Sequence, residues 1–227
     1  MSRYLPDSRS LFLHIPKTGG KSVENLLSQC GIASKYATIR QNYWGPSRWR
    51  VSRTHCYPWM YRNDETQPIE RIFAFVRHPI AWYESRWRYM WDSPGHRKRG
   101  RVPCWEVAAL FDEDFNVWME RVLVHQPAYV TRLYERYLGP IGGEVVHYVG
   151  RTENLIADAV TILRLIGYTV PLDIAAERRN ASTKREIVWS MELKSKILAV
   201  ERATMDRFYP FSETWPLPVI INEGTIP

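Results

Sequence analysis

The chain has 227 residues, 45% hydrophobic and 24% charged, which is the composition of one ordinary globular domain. Those fractions exclude wholesale disorder, a collagen-like repeat and a coiled coil. Thirty-one Lys and Arg against 24 Asp and Glu leave a net charge of +7, which favours an anionic ligand or partner without naming one.

In chain order, Leu11 to Ile15 (LFLHI) reads as a buried strand and Pro16 to Gly20 as a turn. A helix is predicted over Ser22 to Cys30, with Val23, Leu26, Leu27 and Cys30 on one face and Gly31 as its stop. Arg40 to Tyr61 mixes basic and aromatic residues, with a short strand at Arg50 to Thr54. Ile72 to Val76 (IFAFV) is the clearest second core strand, followed by a helix from Ile80 to about Trp91. Ser93 to Pro103 is a basic loop carrying Arg97, Lys98, Arg99 and Arg101. Helical pattern returns over Phe115 to Leu138, interrupted near Pro127. Val145 to Val149 reads as a third strand, with helices after it at about Asn154 to Ile166 and Lys184 to Phe208. A proline-punctuated tail, residues 210–227, closes what is predicted to be a single domain spanning 1–227.

Three cysteines (Cys30, Cys56 and Cys104) without a CxxC spacing indicate neither a disulfide framework nor a zinc site, and suit a reducing compartment. The N-terminal apolar run is only strand-length, too short for a signal peptide or a membrane span. The expectation is a soluble, cytoplasmic protein with no membrane partner.

Alternating strands and helices predict an α/β fold with a mostly parallel sheet flanked by helices on both faces. Ligands of such sheets sit beyond the carboxyl ends of the strands. The turns after LFLHI and IFAFV are therefore where chemistry is expected.

The first turn contains Pro16, Lys17, Thr18, Gly19, Gly20, Lys21 and Ser22 and opens a helix. Two glycines let the backbone curl so that successive N–H groups point at one spot, and the helix dipole adds positive potential there. A phosphate or sulfate is the natural occupant, with charge from Lys17 and Lys21 and hydroxyl donors on Thr18 and Ser22. Gly20-Lys21-Ser22 also copies the end of the GxxxxGK[ST] loop of kinases and nucleotide triphosphatases. That motif's first glycine is replaced by Ile15, and IFAFV ends in Arg77-His78-Pro79 rather than in a magnesium-holding aspartate. After the second strand, Arg77 offers a planar fork suited to a phosphate, and Ser85 comes eight residues later on the next helix.

HIPKTGGKS followed by FAFVRHPIAWYES closely resembles the two signatures of sulfotransferases that use 3′-phosphoadenosine 5′-phosphosulfate (PAPS), nearest the carbohydrate (heparan sulfate) branch. The resemblance implies a P-loop-kinase-like fold with PAPS as donor, PAP as product and no metal. It places the 5′-phosphosulfate on Lys17, Thr18, Gly19, Gly20, Lys21 and Ser22, and the 3′-phosphate on Arg77 and Ser85. The family more often has a small hydroxyl residue where Lys21 stands, which leaves the role of Lys21 open. Weaker likeness extends over Tyr148 to Leu155 and from Asn180 through Tyr209, where Lys184 is the candidate for a loop that closes over the nucleotide.

Sulfuryl transfer needs a cation at the leaving phosphate oxygen, a role that the resemblance assigns to Lys17. It also needs a base for the acceptor hydroxyl. Of six histidines, His55 comes after a candidate strand in a stretch where this branch places its base; Glu24 and Glu84 are reserve bases. Tyr43, Trp44, Trp49, Tyr57, Trp59 and Tyr61, interleaved with arginines, suit an acceptor that is a glycan or a hydroxylated small molecule, both compatible with negative charge. Two rival readings stand beside this one. One is a P-loop nucleotide kinase or triphosphatase. The other is a basic nucleic-acid-binding module, for which no helix-turn-helix, zinc-finger or RNP signature is present.

Overall fold

The computed structural model describes residues 1–38, 56–92, 105–171, 185–210 and 219–220. One six-stranded sheet is built from β1 (Arg3–Leu5), β2 (Ser10–Leu13), β3 (Lys35–Tyr36), β4 (Arg71–Val76), β5 (Tyr148–Arg151) and β6 (Val219–Ile220), in the order β3-β1-β2-β4-β5-β6. Around it lie α1 (Gly20–Gln29), α2 (Pro79–Asp92), α3 (Trp105–Ala108), α4 (Phe115–His125), α5 (Tyr129–Leu138), α6 (Leu155–Leu165), α7 (Met191–Val200) and α8 (Arg202–Phe208).

The central strands β2, β4 and β5 are parallel, whereas β1, β3 and β6 pair antiparallel outside them. The sheet is thus only partly parallel, which corrects the mostly parallel sheet expected from the sequence. The added strands are two or three residues long, too short to carry a periodic signal. β1 folds back on β2 through a tight turn in which the Arg9 N–H donates to the Pro6 carbonyl (3.1 Å). β6 comes from the proline-punctuated tail, so part of that tail is a sheet edge.

Both faces of the central strands are buried, which is why they read as continuous apolar runs. Leu11, Leu13, Ala74, Val76 and Val149 face α2, α4, α5 and α7; Phe12, Phe73 and Phe75 face α1 and α6. The third strand is displaced from its predicted place. His147 Nδ1 accepts the Ile72 N–H (3.1 Å), so a ring takes the place of a ladder carbonyl and regular pairing begins at Tyr148. Gly150 belongs inside β5 because a Cβ there would sit 2.5 Å from the Phe75 ring.

The predicted break near Pro127 divides α4 from α5, with Ala128 at φ 52°. The helix predicted from Lys184 to Phe208 is corrected twice. Residues 185–190 are not helical and α7 starts at Met191, capped by Ser190, whose Oγ accepts the Leu193 N–H (3.4 Å). The run is broken again at Glu201, the junction of α7 and α8. Glu201 is fully buried and accepts from Tyr83 Oη (2.6 Å), Thr131 Oγ1 (2.7 Å), Thr131 N (2.8 Å) and Val130 N (3.0 Å). One carboxylate therefore closes the N-terminus of α5 and ties α2 to α8.

Among the described residues no helix is long and apolar enough to cross a membrane. Replacing Glu201 with Leu leaves the Tyr83 hydroxyl and the Val130 and Thr131 N–H groups without this acceptor in the core. The expected loss is about 3 kcal/mol or more, read by urea unfolding; a loss below about 1 kcal/mol would contradict the assignment.

Candidate functional site

The turn from β2 into α1 is shaped by three contacts. Thr18, only 1% exposed, donates its hydroxyl to the Ile15 carbonyl (3.0 Å). Ser22 N (2.8 Å) and Val23 N (3.2 Å) both donate to the Gly19 carbonyl, and no side chain caps the helix. Gly19 takes φ 81°, and a Cβ on it would lie 2.5 Å from Leu155 Cδ1. Gly20 is demanded by a different neighbour, since a Cβ there would lie 2.1 Å from His14 Nε2. Lys17 also takes a left-handed φ of 68°, a conformation uncommon for a residue with a side chain.

Because β2 and β4 are adjacent and parallel, the turn after β4 lies beside this loop. Arg77 Nη1 reaches the Lys17 carbonyl (3.4 Å). The Tyr134 hydroxyl clamps the arginine's backbone, accepting from its N–H (2.8 Å) and donating to its carbonyl (2.7 Å). Burial lowers the Arg77 pKa, and the nearby Glu153 carboxylate opposes that shift. On the other side, Thr152 Oγ1 donates to the Val76 carbonyl (2.8 Å), and its methyl lies 3.5 Å from where a Gly19 Cβ would be. Three strand ends thus meet around one loop.

Helix α2 contributes a stripe at positions i, i+3 and i+7. Trp82 Nε1 donates to the Pro16 carbonyl (2.9 Å), and the Tyr89 ring lies 4.4 Å from Lys17 Nζ. Ser85 lies between them in helical spacing and is buried, 7% exposed. Arg86, 1% exposed, brings a second cation to within 5.6 Å of the Tyr89 ring. Of the site residues expected from the sequence, Arg77 touches the glycine loop at the Lys17 carbonyl, and Ser85 is buried on α2. Thr18 is present with its hydroxyl turned inward to Ile15. Lys21 is exposed on α1, and Ser22 is half-buried.

His55 and Lys184 lie outside the described residues, as do the basic loop and the strand predicted at Arg50 to Thr54. Their chain neighbours are anchored: Cys56 is buried, and Arg185 stacks on Trp91 (3.7 Å) while its carbonyl accepts from Arg88 Nε (3.0 Å). The reserve bases are engaged. Glu24 pairs with the Met1 amine (2.8 Å), and Glu84 accepts from Trp189 Nε1 (3.0 Å) and Arg88 Nη1 (3.3 Å). Of the aromatics expected to face an acceptor, Tyr61 is core, whereas Trp59 is 47% exposed and stacked on Tyr57 at 4.8 Å. Trp59 lines a cavity of about 420 Å³ with Arg132 and Arg136, on the outward face of α5 rather than at the strand carboxyl ends.

Sequence reasoning did not single out Tyr134, Trp82, Tyr89, Arg86, Thr152 or Glu153. Helical spacing from Ser85 could have found Trp82 and Tyr89; the others needed the tertiary pairing. Among the described residues no group of His, Cys, Asp and Glu is placed to hold a metal ion. Compared with protein-family models, with curated proteins and with solved structures, the chain has no match in any of the three.

Replacing Gly20 with Ala should cost about 1–3 kcal/mol in thermal unfolding through collision with the His14 ring. Adding His14→Ala should cost less than the two single losses together, because the collision is then gone. Strict additivity would dissociate the glycine from that contact.

Proposed function

We propose that this protein is a PAPS-dependent sulfotransferase, in a P-loop-kinase-like fold, acting on a hydroxyl of a carbohydrate or hydroxylated small molecule. The observation that carries the reading is the meeting of the Arg77 guanidinium with the Lys17 carbonyl at 3.4 Å. A glycine-bearing loop that suits one phosphate and a strand-end arginine that suits another share one place, as a donor with a phosphate at each end requires. In this reading Ser85, buried on α2, adds a hydroxyl donor for the second phosphate.

In the proposed reaction His55 takes the proton from the acceptor hydroxyl. The acceptor oxygen forms the new bond to sulfur, and the bond from sulfur to the 5′-phosphate oxygen breaks in line. The electron pair leaves on that oxygen as PAP, where the Lys17 ammonium neutralises it. Backbone N–H groups of the loop hold the sulfuryl oxygens. Arg77 and Ser85 hold the 3′-phosphate and so fix the donor's orientation.

PAP should raise the melting temperature far more than ATP with magnesium does. A preference for ATP with magnesium would favour the kinase reading, and steep salt-dependent DNA affinity the nucleic-acid one. Arg77→Ala should weaken PAP binding by about 2 kcal/mol, roughly 30-fold by calorimetry; unchanged affinity would remove Arg77 from the site. His55→Ala should depress turnover while PAP affinity persists, and full activity would reassign the base.

A further inference from the structure

The Lys17 side chain leaves a left-handed backbone, crosses to α2 and ends with Nζ 4.4 Å from the centre of the Tyr89 ring. The Arg86 guanidinium lies 5.6 Å from the same ring. An aromatic face attracts a cation through its quadrupole, so the ring is a favourable seat for an ammonium. Tyr89 stands four residues beyond Ser85, so this seat is one turn along the helix from that serine.

We propose that Tyr89 is a station for Lys17 that competes with the glycine loop: its ring holds the ammonium, and an anion bound in the loop draws the lysine off. The release half rests on the reading of this protein as one that binds PAPS; the holding half does not. Tyr89 is then a positioning residue acting through Lys17, and it opposes anion binding by competing for the ammonium. Removing the ring should therefore tighten binding, the reverse of the effect of losing a ligand contact.

Calorimetry with PAP provides the first test. Tyr89→Leu should bind PAP roughly two- to fivefold more tightly than the wild type, the worth of one such contact, while Tyr89→Phe should match the wild type. In a Lys17→Met background, Tyr89→Leu should change nothing. Equal or weaker binding by Tyr89→Leu, with the variant shown folded by its melting curve, overturns the release. The second test is donor-independent: the Lys17 ε-methylene protons, assigned through Lys17→Arg, should resonate upfield of the other lysines by ring current. They should return to the ordinary range in Tyr89→Leu. An unshifted wild-type signal overturns the station. Absence of PAP binding to the wild type, with the upfield signal present, overturns the donor reading and the release while leaving the station standing.

Discussion

The parallel pairing of β2 with β4 is the constraint on which the rest depends. Both strands end at the same edge of the sheet, so the segments leaving their carboxyl ends are forced into contact with one another. The chain leaves β2 as a loop with two glycines, and it leaves β4 through an arginine. Setting a guanidinium half-buried against a backbone carbonyl carries a desolvation cost that an ordinary packing site would avoid. Tyr134 on α5, Trp82 on α2 and Thr152 beyond β5 each fix this junction by hydrogen bonding from a different element. The junction is therefore fixed from three elements at once.

The helices packed on the α2 face of the sheet are organised by a second polar centre. Glu201 sits where α7 passes into α8 and takes four donors from α2 and from the start of α5. A carboxylate without solvent contact is tolerable only when its lone pairs are filled, and here they are. Because α5 also carries Tyr134, the Glu201 network and the Arg77 turn are linked through one rigid helix. A third small cluster, Glu153 with the His78 N–H (2.9 Å) and the Tyr209 hydroxyl (3.0 Å), ties the residue after Arg77 to the chain beyond α8. Burial lowers the His78 pKa, and the Glu153 carboxylate works against that shift. In the proposed reaction these clusters do no chemistry; they hold still the residues that do.

Much of the fold is legible in the sequence because the central strands obey a simple rule. LFL and IFAFV are apolar on both sides since helices cover both faces, and continuous runs of that length between turn residues read as buried strands. The outer strands escape this rule because a pairing of two or three residues is decided by the neighbour and leaves no period behind. The third strand begins later than its apolar pattern for a local reason: valines at 145 and 146 look like a strand, but the His147 ring interrupts the ladder there. The C-terminal helix is shorter than its pattern because residues 185–190 carry helical composition while their hydrogen bonds go to α2 and α4.

Sequence alone determined the local chemistry of the site: which turn must curl, which cation ends a buried strand, and which hydroxyl lies two helical turns on. Those are properties of neighbouring residues, and a positive φ at Gly19 or a serine's helical spacing needs no distant partner to be inferred. The tertiary structure alone decided that Thr18 turns its hydroxyl inward, that Gly20 is required by a histidine six residues earlier, and that Lys17 lies against Tyr89. Each of these depends on which elements pack together, and packing is set by the whole chain's burial of apolar area rather than by any one segment's pattern.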